Sequence, residues 1–149
     1  MLLLLFEIGR ERYAMPTTRV REIIPLVKLK KIPKTADYIA GLINFRGQPV
    51  PVVDLCVLID NRPCKARLST RIIMLEYPRE GQSPKLLGMI AENVTETYKS
   101  AQAVPTASGI LLDQKLNEQG AESGTDEMIQ WFDPKKMLPE REIEHLLED

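Results

Sequence analysis

Gly41-Leu42-Ile43-Asn44-Phe45-Arg46-Gly47-Gln48-Pro49-Val50-Pro51-Val52-Val53-Asp54-Leu55 is the stretch on which the fold turns. Two apolar runs, residues 42–45 and 50–53, flank a turn built on Arg46-Gly47-Gln48. Short apolar runs bounded by glycine read as buried strands, so the stretch predicts strand, tight turn, strand. Gly47 supplies backbone freedom that a Cβ would forbid. Arg46 stands at the rim of the turn, where its guanidinium reaches outward as a planar fork of donors. Pro49 and Pro51 lie two apart, on the same side of the second strand. One side of that strand therefore cannot donate, which predicts an edge or a strand whose neighbour ends here.

The chain has 149 residues and is read as one domain, residues 1–149, large enough to bury a core. Its 44% hydrophobic and 28% charged residues are those of an ordinary soluble protein. The net charge of −1 gives no whole-molecule attraction to nucleic acid or anionic lipid. Charge is unevenly placed: residues 1–75 carry 13 Lys/Arg against 6 Asp/Glu, and residues 76–149 carry 7 against 15. The plain reading is that the halves pack together and largely cancel; the sharper one is two oppositely charged partner faces. Cys56 and Cys64 are eight apart and form neither a zinc spacing nor a Cys-x-x-Cys motif, so reduced thiols in a cytoplasmic protein are expected. The opening run Met1 to Phe6 lacks a basic leader and stops at Glu7, so it reads as the first strand, with the fold beginning almost at once. No segment approaches the roughly 20 apolar residues that cross a bilayer, and no membrane insertion is expected.

Taken in order, residues 2–8 predict a buried strand, 9–11 a hairpin turn and 12–15 the return. Thr18 is placed to cap a short helical turn through Val20, and residues 22–24 predict a strand stopped by Pro25. Lys28, Lys30 and Lys31 alternate with Val27, Leu29 and Ile32, the pattern of a half-exposed strand. Residues 35–40 predict one helical turn, capped by Thr35 and stopped by Gly41. Further strands are predicted at 71–77, 86–94 and 128–132, an apolar segment at 109–112 and a mobile loop at 113–127. Asp133-Pro134 opens a helix with Asp133 as N-cap, and Pro139 splits the C-terminal stretch into two short helices anchored by Leu138, Ile143, Leu146 and Leu147. Many short strands with little helix predict barrels or a sandwich.

The central stretch also resembles the CheW-like family of bacterial chemosensory coupling proteins. Its pattern of an apolar-Asn-Leu-Arg-Gly turn, then apolar-Pro-apolar-apolar-Asp-Leu, stands here as Ile43-Asn44-Phe45-Arg46-Gly47 and Val50-Pro51-Val52-Val53-Asp54-Leu55, with Phe45 for the usual Leu. Val20-Arg21-Glu22-Ile23, residues 33–41, Leu87 to Val94 and residues 129–138 extend the likeness; Ala91-Glu92 departs from the family's Val-Asp, and residues 113–127 match nothing well. The resemblance implies a mainly β fold of two small five-stranded, SH3-like β-barrels around a shared hydrophobic core, with a short C-terminal helix. It implies a cytoplasmic adaptor that couples chemoreceptor tips to a CheA-type histidine kinase. The partner-binding residues it points to are Arg46, Glu22, Val20, Gly41 and Gly47.

No catalytic, cofactor or metal constellation stands against that reading. The single histidine, His145, lies in an acidic tail and reads as a solvated helix residue, so nucleophile–histidine schemes have only it to draw on. Asp54 and Glu22 are candidate paired carboxylates, but nothing in the sequence fixes their separation, and Asp54 reads more simply as the cap of the segment after the strand. Arg46 is either a solvated turn residue or an interface anchor, and the motif favours the anchor. Glu22 reads almost equally as an exposed strand charge. Gly41 and Gly47 serve backbone shape first. A rival class is a small barrel gripping single-stranded nucleic acid through Lys28, Lys30, Lys31, Lys34 and Arg46. That reading needs exposed aromatics, and the basic half offers only Tyr13, Tyr38 and Phe45. No nucleic-acid partner is therefore expected. An adaptor in a pathway controlling attachment or pili shares every feature of the first reading.

Overall fold

A computed structural model describes residues 2–99, 110–112 and 128–148. The predicted loop at 113–127 lies outside the described residues. Among the described residues there are nine strands: β1 Leu2–Ile8, β2 Glu11–Pro16, β3 Val20–Pro25, β4 Ile39–Phe45, β5 Gln48–Asp54, β6 Arg71–Arg79, β7 Gln82–Lys99, β8 Ile110–Leu112 and β9 Met128–Trp131. The helices are α1 Leu55–Asp60, α2 Pro134–Met137 and α3 Glu140–Leu146, with a 3-10 turn at Thr17–Arg19.

The strands form one hydrogen-bonded sheet in the order β3-β6-β7-β1-β2-β9-β8, with β5 joined to β7 and β4 to β5. The long β7 makes this possible. Its first part pairs with β6 as far as Arg71↔Ala91, and its second part pairs with β1 from Glu7↔Glu92 to Leu2↔Lys99. Asn93, at the change of partner, adopts a left-handed backbone with φ 45°. Each part of β7 thus heads a set of five strands. Neither set closes into a ring among the described residues, so the two barrels implied by the resemblance are corrected to two open sets sharing one strand. The mainly β character holds.

The shared core also holds. Strand alternation sends successive residues to opposite faces. On β6, Ile72 and Met74 enter a cluster with Ile43, Phe45, Val50, Val52 and Ile90. Ile73, Leu75 and Tyr77 enter the main cluster with Leu4, Phe6, Tyr13, Val53 and Met89. A strand buried on both faces has no polar alternation, which is why residues 72–75 read as one apolar run. Phe6, Tyr13 and Phe132 meet ring to ring, with centroids 5.4–6.1 Å apart. The C-terminal helices close the main cluster through Leu138, Ile143 and Leu147. Asp133 accepts the Lys135 amide at 3.0 Å and Pro134 takes the first helical position, as the sequence predicts.

Three local expectations fail. Residues 26–32 form no strand; only Lys30 bridges, to Leu42. The predicted turn of helix at 35–40 is absent: Thr35 Oγ1 donates to the Ile32 carbonyl at 2.8 Å, and Ile39 and Ala40 already belong to β4. Thr18 caps nothing, because Thr17–Arg19 is entered from Pro16 without a side-chain cap.

Candidate partner-binding hairpin

Phe45 pairs with Gln48, leaving Arg46 and Gly47 as a two-residue loop. Both have positive φ, 51° and 85°, the signature of the turn whose twist matches that of a β-hairpin. Glycine bears that conformation freely; arginine bears it at a cost, offset here by side-chain contacts. The Gly47 amide donates to Asn44 Oδ1 at 2.9 Å. A Cβ at Gly47 would meet nothing within 4 Å, so its requirement is conformational and not steric. Gly41 is the opposite case. Its φ is 145° and a Cβ would sit 2.5 Å from the Lys30 carbonyl oxygen, because the 26–32 segment crosses β4 at that point. Gly41 is therefore a site of close backbone approach and not the stop of a preceding helix.

Arg46 Nη2 donates to Glu22 Oε1 at 2.8 Å, and its guanidinium carbon lies 5.0 Å from the Phe45 ring centroid. The side chains remain 67% and 38% exposed. Glu22 lies on β3, so this contact ties the hairpin tip to another strand of the same set. Val20, on the same strand, turns the other way. A register shift between Val20 and Glu22 changes the alternation, and both Val20 and Ile23 pack against the main core. Of the five candidate residues, the fold gathers Arg46, Gly47 and Glu22 at one tip. Val20 and Gly41 lie in the framework behind it.

The prolines behave as their spacing predicts. Pro49 and Pro51 oppose Asn44 and Leu42, while Gln48 and Val50 oppose Phe45 and Ile43. Antiparallel pairs alternate in bonding, and a two-residue loop is closed by a bonded pair, so the proline nitrogens face away from β4. On that outer side β7 joins β5 only from Val52 onward, and residues 48–51 form an edge among the described residues. Val50 and Val52, at 3% and 0% exposure, belong wholly to the core and supply no contact surface.

Asp54 caps α1, as expected. Its Oδ1 accepts the Cys56 and Val57 amides at 2.9 and 3.2 Å, and its Oδ2 the Cys64 amide at 3.3 Å. Burial pushes its carboxyl above the usual carboxylate range; the three amides oppose that rise and the Glu92 carboxylate adds to it. Glu22 and Asp54 therefore have separate tasks and form no catalytic pair. Sequence reasoning missed two features here. Glu92, where the family pattern has Asp, is buried and accepts the Lys65 amide at 2.7 Å. Cys56 and Cys64 are not separate thiols: they are joined as a disulfide, with Cα atoms 5.1 Å apart. The left-handed Asn61, φ 56°, reverses the chain after α1 and lays residue 64 beside the first helical turn. The Asp60-Asn61 pair at the end of α1 was the one sequence hint of that reversal.

Among the described residues, the basic half does not offer the set of exposed aromatics that a single-strand binder needs. Tyr13 and Phe45 are buried, and Tyr38 bonds through its hydroxyl to Glu142. Residues 2–142 match the CheW-like domain, and the chain belongs to that family. The chemotaxis protein CheW of Klebsiella aerogenes is 27% identical over 144 residues, covering 94% of this chain and 82% of the relative. CheW of Bacillus subtilis is 32% identical over 75 residues, covering 50% and 48%. The crystal structure of the scaffolding protein TtCheW from Thermoanaerobacter tengcongensis superposes with a TM-score of 0.64 at 25% identity, covering 89% of this chain and 83% of that one. The chain is a chemotaxis coupling adaptor of this family.

Proposed function

We propose that the chain couples the cytoplasmic tips of chemoreceptors to a CheA-type histidine kinase, acting in the cytoplasm by alignment of partners and without turnover of its own. The observation that carries this reading is the Arg46 tip: an exposed guanidinium, restrained by Glu22 and the Phe45 ring, inside the segment that matches the family. An arginine held in place before binding loses less freedom on docking, and arginine is frequent among residues that dominate interfaces. Glu22 and Gly47 act with it; Gly41 and Val20 hold the strands that present it.

Two partners require two faces. A groove of about 730 Å³ runs beside the free edge of β5, lined by Pro49, Pro51, Leu86 and Leu147, with Arg21 and Glu76 at its border. Arg46 is not among its lining residues. The kinase and the receptor tip are assigned to different surfaces on this basis. Calorimetric titration of the protein with a kinase barrel domain and, separately, with a receptor-tip fragment, using the wild type and Arg46→Ala, tests the reading. Loss of affinity for one partner in the variant, with the melt unchanged, supports it; equal affinities in both proteins for both partners contradict it.

A further inference from the structure

Outside the hairpin, one cluster brings together side chains with a shared chemistry that the adaptor role does not use. The ligand atoms of Asp54, Cys56 and Cys64 all lie within 4.8 Å of one another. Cys64 Sγ is 3.2 Å from Asp54 Oδ1 and 3.5 Å from the Ile90 carbonyl oxygen. Asp54 and Cys56 are buried, whereas Cys64 is only half-buried and leaves a way in. Three amides occupy two acceptor positions on Asp54 Oδ1 and one on Oδ2. A carboxylate has about four such positions, so Oδ2 keeps one free. Glu92 adds a second buried carboxylate that acts electrostatically on Asp54.

We propose that Cys56, Cys64 and Asp54 form a redox-gated site for a thiophilic divalent cation of the zinc type. In the disulfide the site is shut, because both sulfurs are spent on each other. A dithiol reductant opens it: the sulfur–sulfur bond takes up two electrons and two protons, giving two thiols, and the reductant leaves as its own disulfide. The cation then displaces both thiol protons to solvent and is bound by two thiolates and Asp54 Oδ2. Tetrahedral zinc with bonds of about 2.3 Å to sulfur sets its thiolates roughly 3.7 Å apart. Rotation of the half-buried Cys64 side chain provides that separation without moving α1. A water takes the remaining position on the Cys64 side. Two thiolates and a carboxylate suit zinc or cadmium over magnesium or calcium, which prefer all-oxygen shells.

The site has a mechanical consequence. Residues 61–70 leave α1 and return to β6, carrying Arg67 and a Leu68 that is 99% exposed. The disulfide and the bound cation each tie this loop to the first turn of α1. Reduced and metal-free, the loop keeps its tethers from the Cys64 amide to Asp54, from the Lys65 amide to Glu92 and from the Thr70 hydroxyl to the Lys65 carbonyl. Presentation of Leu68 thus depends on redox state only when the cation is missing.

Cadmium titration of the full chain, reduced with dithiothreitol and desalted anaerobically, is the test. The expected result is thiolate-to-cadmium charge-transfer absorbance saturating at one cation per chain in the reduced protein and absent in the oxidised one. Cys64→Ser should lose the saturating one-to-one step, and Asp54→Asn should bind more weakly than wild type. The reduced wild type should melt higher with cadmium than without. Circular dichroism of each reduced protein establishes that it is folded. No saturable absorbance in the folded, reduced wild type, the same absorbance in Cys64→Ser, or unfolding of the wild type on reduction would each overturn the proposal.

Discussion

Arg46 on the β4–β5 turn and Glu22 on β3 are 24 residues apart in sequence and meet at 2.8 Å, tying the hairpin tip to a strand that is not its neighbour in the sheet. Both side chains stay in solvent contact, so the pair contributes little to stability, about 0–1 kcal/mol. Its effect is orientation. Glu22→Gln should shift the thermal midpoint hardly at all and still weaken coupling, through a less ordered Arg46. A melt lowered as much as by a core substitution would show instead that the pair is structural.

Arg46→Ala should cost roughly 2 kcal/mol or more in binding, as an interface hot spot does, with the fold intact. Arg46→Lys should recover only part, because an ammonium lacks the planar fork that meets Glu22 and covers the Phe45 ring. Denaturation and titration on the same preparations separate binding from folding.

Gly41→Ala and Gly47→Ala should differ sharply in stability. At Gly47 the methyl has open space and only the positive φ is penalised, about 1–2 kcal/mol. At Gly41 the methyl also runs into the Lys30 carbonyl oxygen, and backbone must move. Urea midpoints compare the two; equal losses would mean that the crossing of residue 30 over β4 is not as tight as the structure has it.

Asp54→Ala removes the cap of α1 and leaves the Cys64 amide without its acceptor. A lost cap costs about 0.5–2 kcal/mol. The loss should be larger in reduced protein, where the Cys56–Cys64 link no longer holds the 61–70 loop. Denaturation of wild type and variant under oxidising and reducing conditions measures the difference.

Ile143→Ala should destabilise by about 2–5 kcal/mol, since this side chain is fully buried in the main core from α3. A loss below about 1 kcal/mol would mean that the C-terminal helix is an appendage and not part of the core.

Local rules made much of this legible. The Gly47 turn, the Pro49/Pro51 edge, the Asp54 cap and the Asp133-Pro134 helix start all depend on what one or two residues permit. The failures have non-local causes. Residues 27–32 alternate like a strand, yet whether a strand forms depends on a neighbour, and only Lys30 finds one. Ile39 and Ala40 have no strand signal of their own beside Gly41, but pairing with β5 draws them into β4. The open sheet follows from the length of β7, whose change of partner next to Asn93 leaves no mark in the hydrophobic pattern. The Glu22 partner of Arg46 and the meeting of Cys56 with Cys64 depend on how distant or reversed segments pack, which spacing does not encode.

An adaptor of the proposed kind holds a receptor tip and a CheA-type kinase domain at once, through separate faces. The decisive measurement is titration of the purified protein against each partner alone, and then against one with the other already saturating. Modest affinities of ~1–10 μM are expected for each, as for a part that assembles through many weak contacts, with a ternary complex when both are present. Strict competition between the two partners, or binding to neither, would contradict the two-face adaptor.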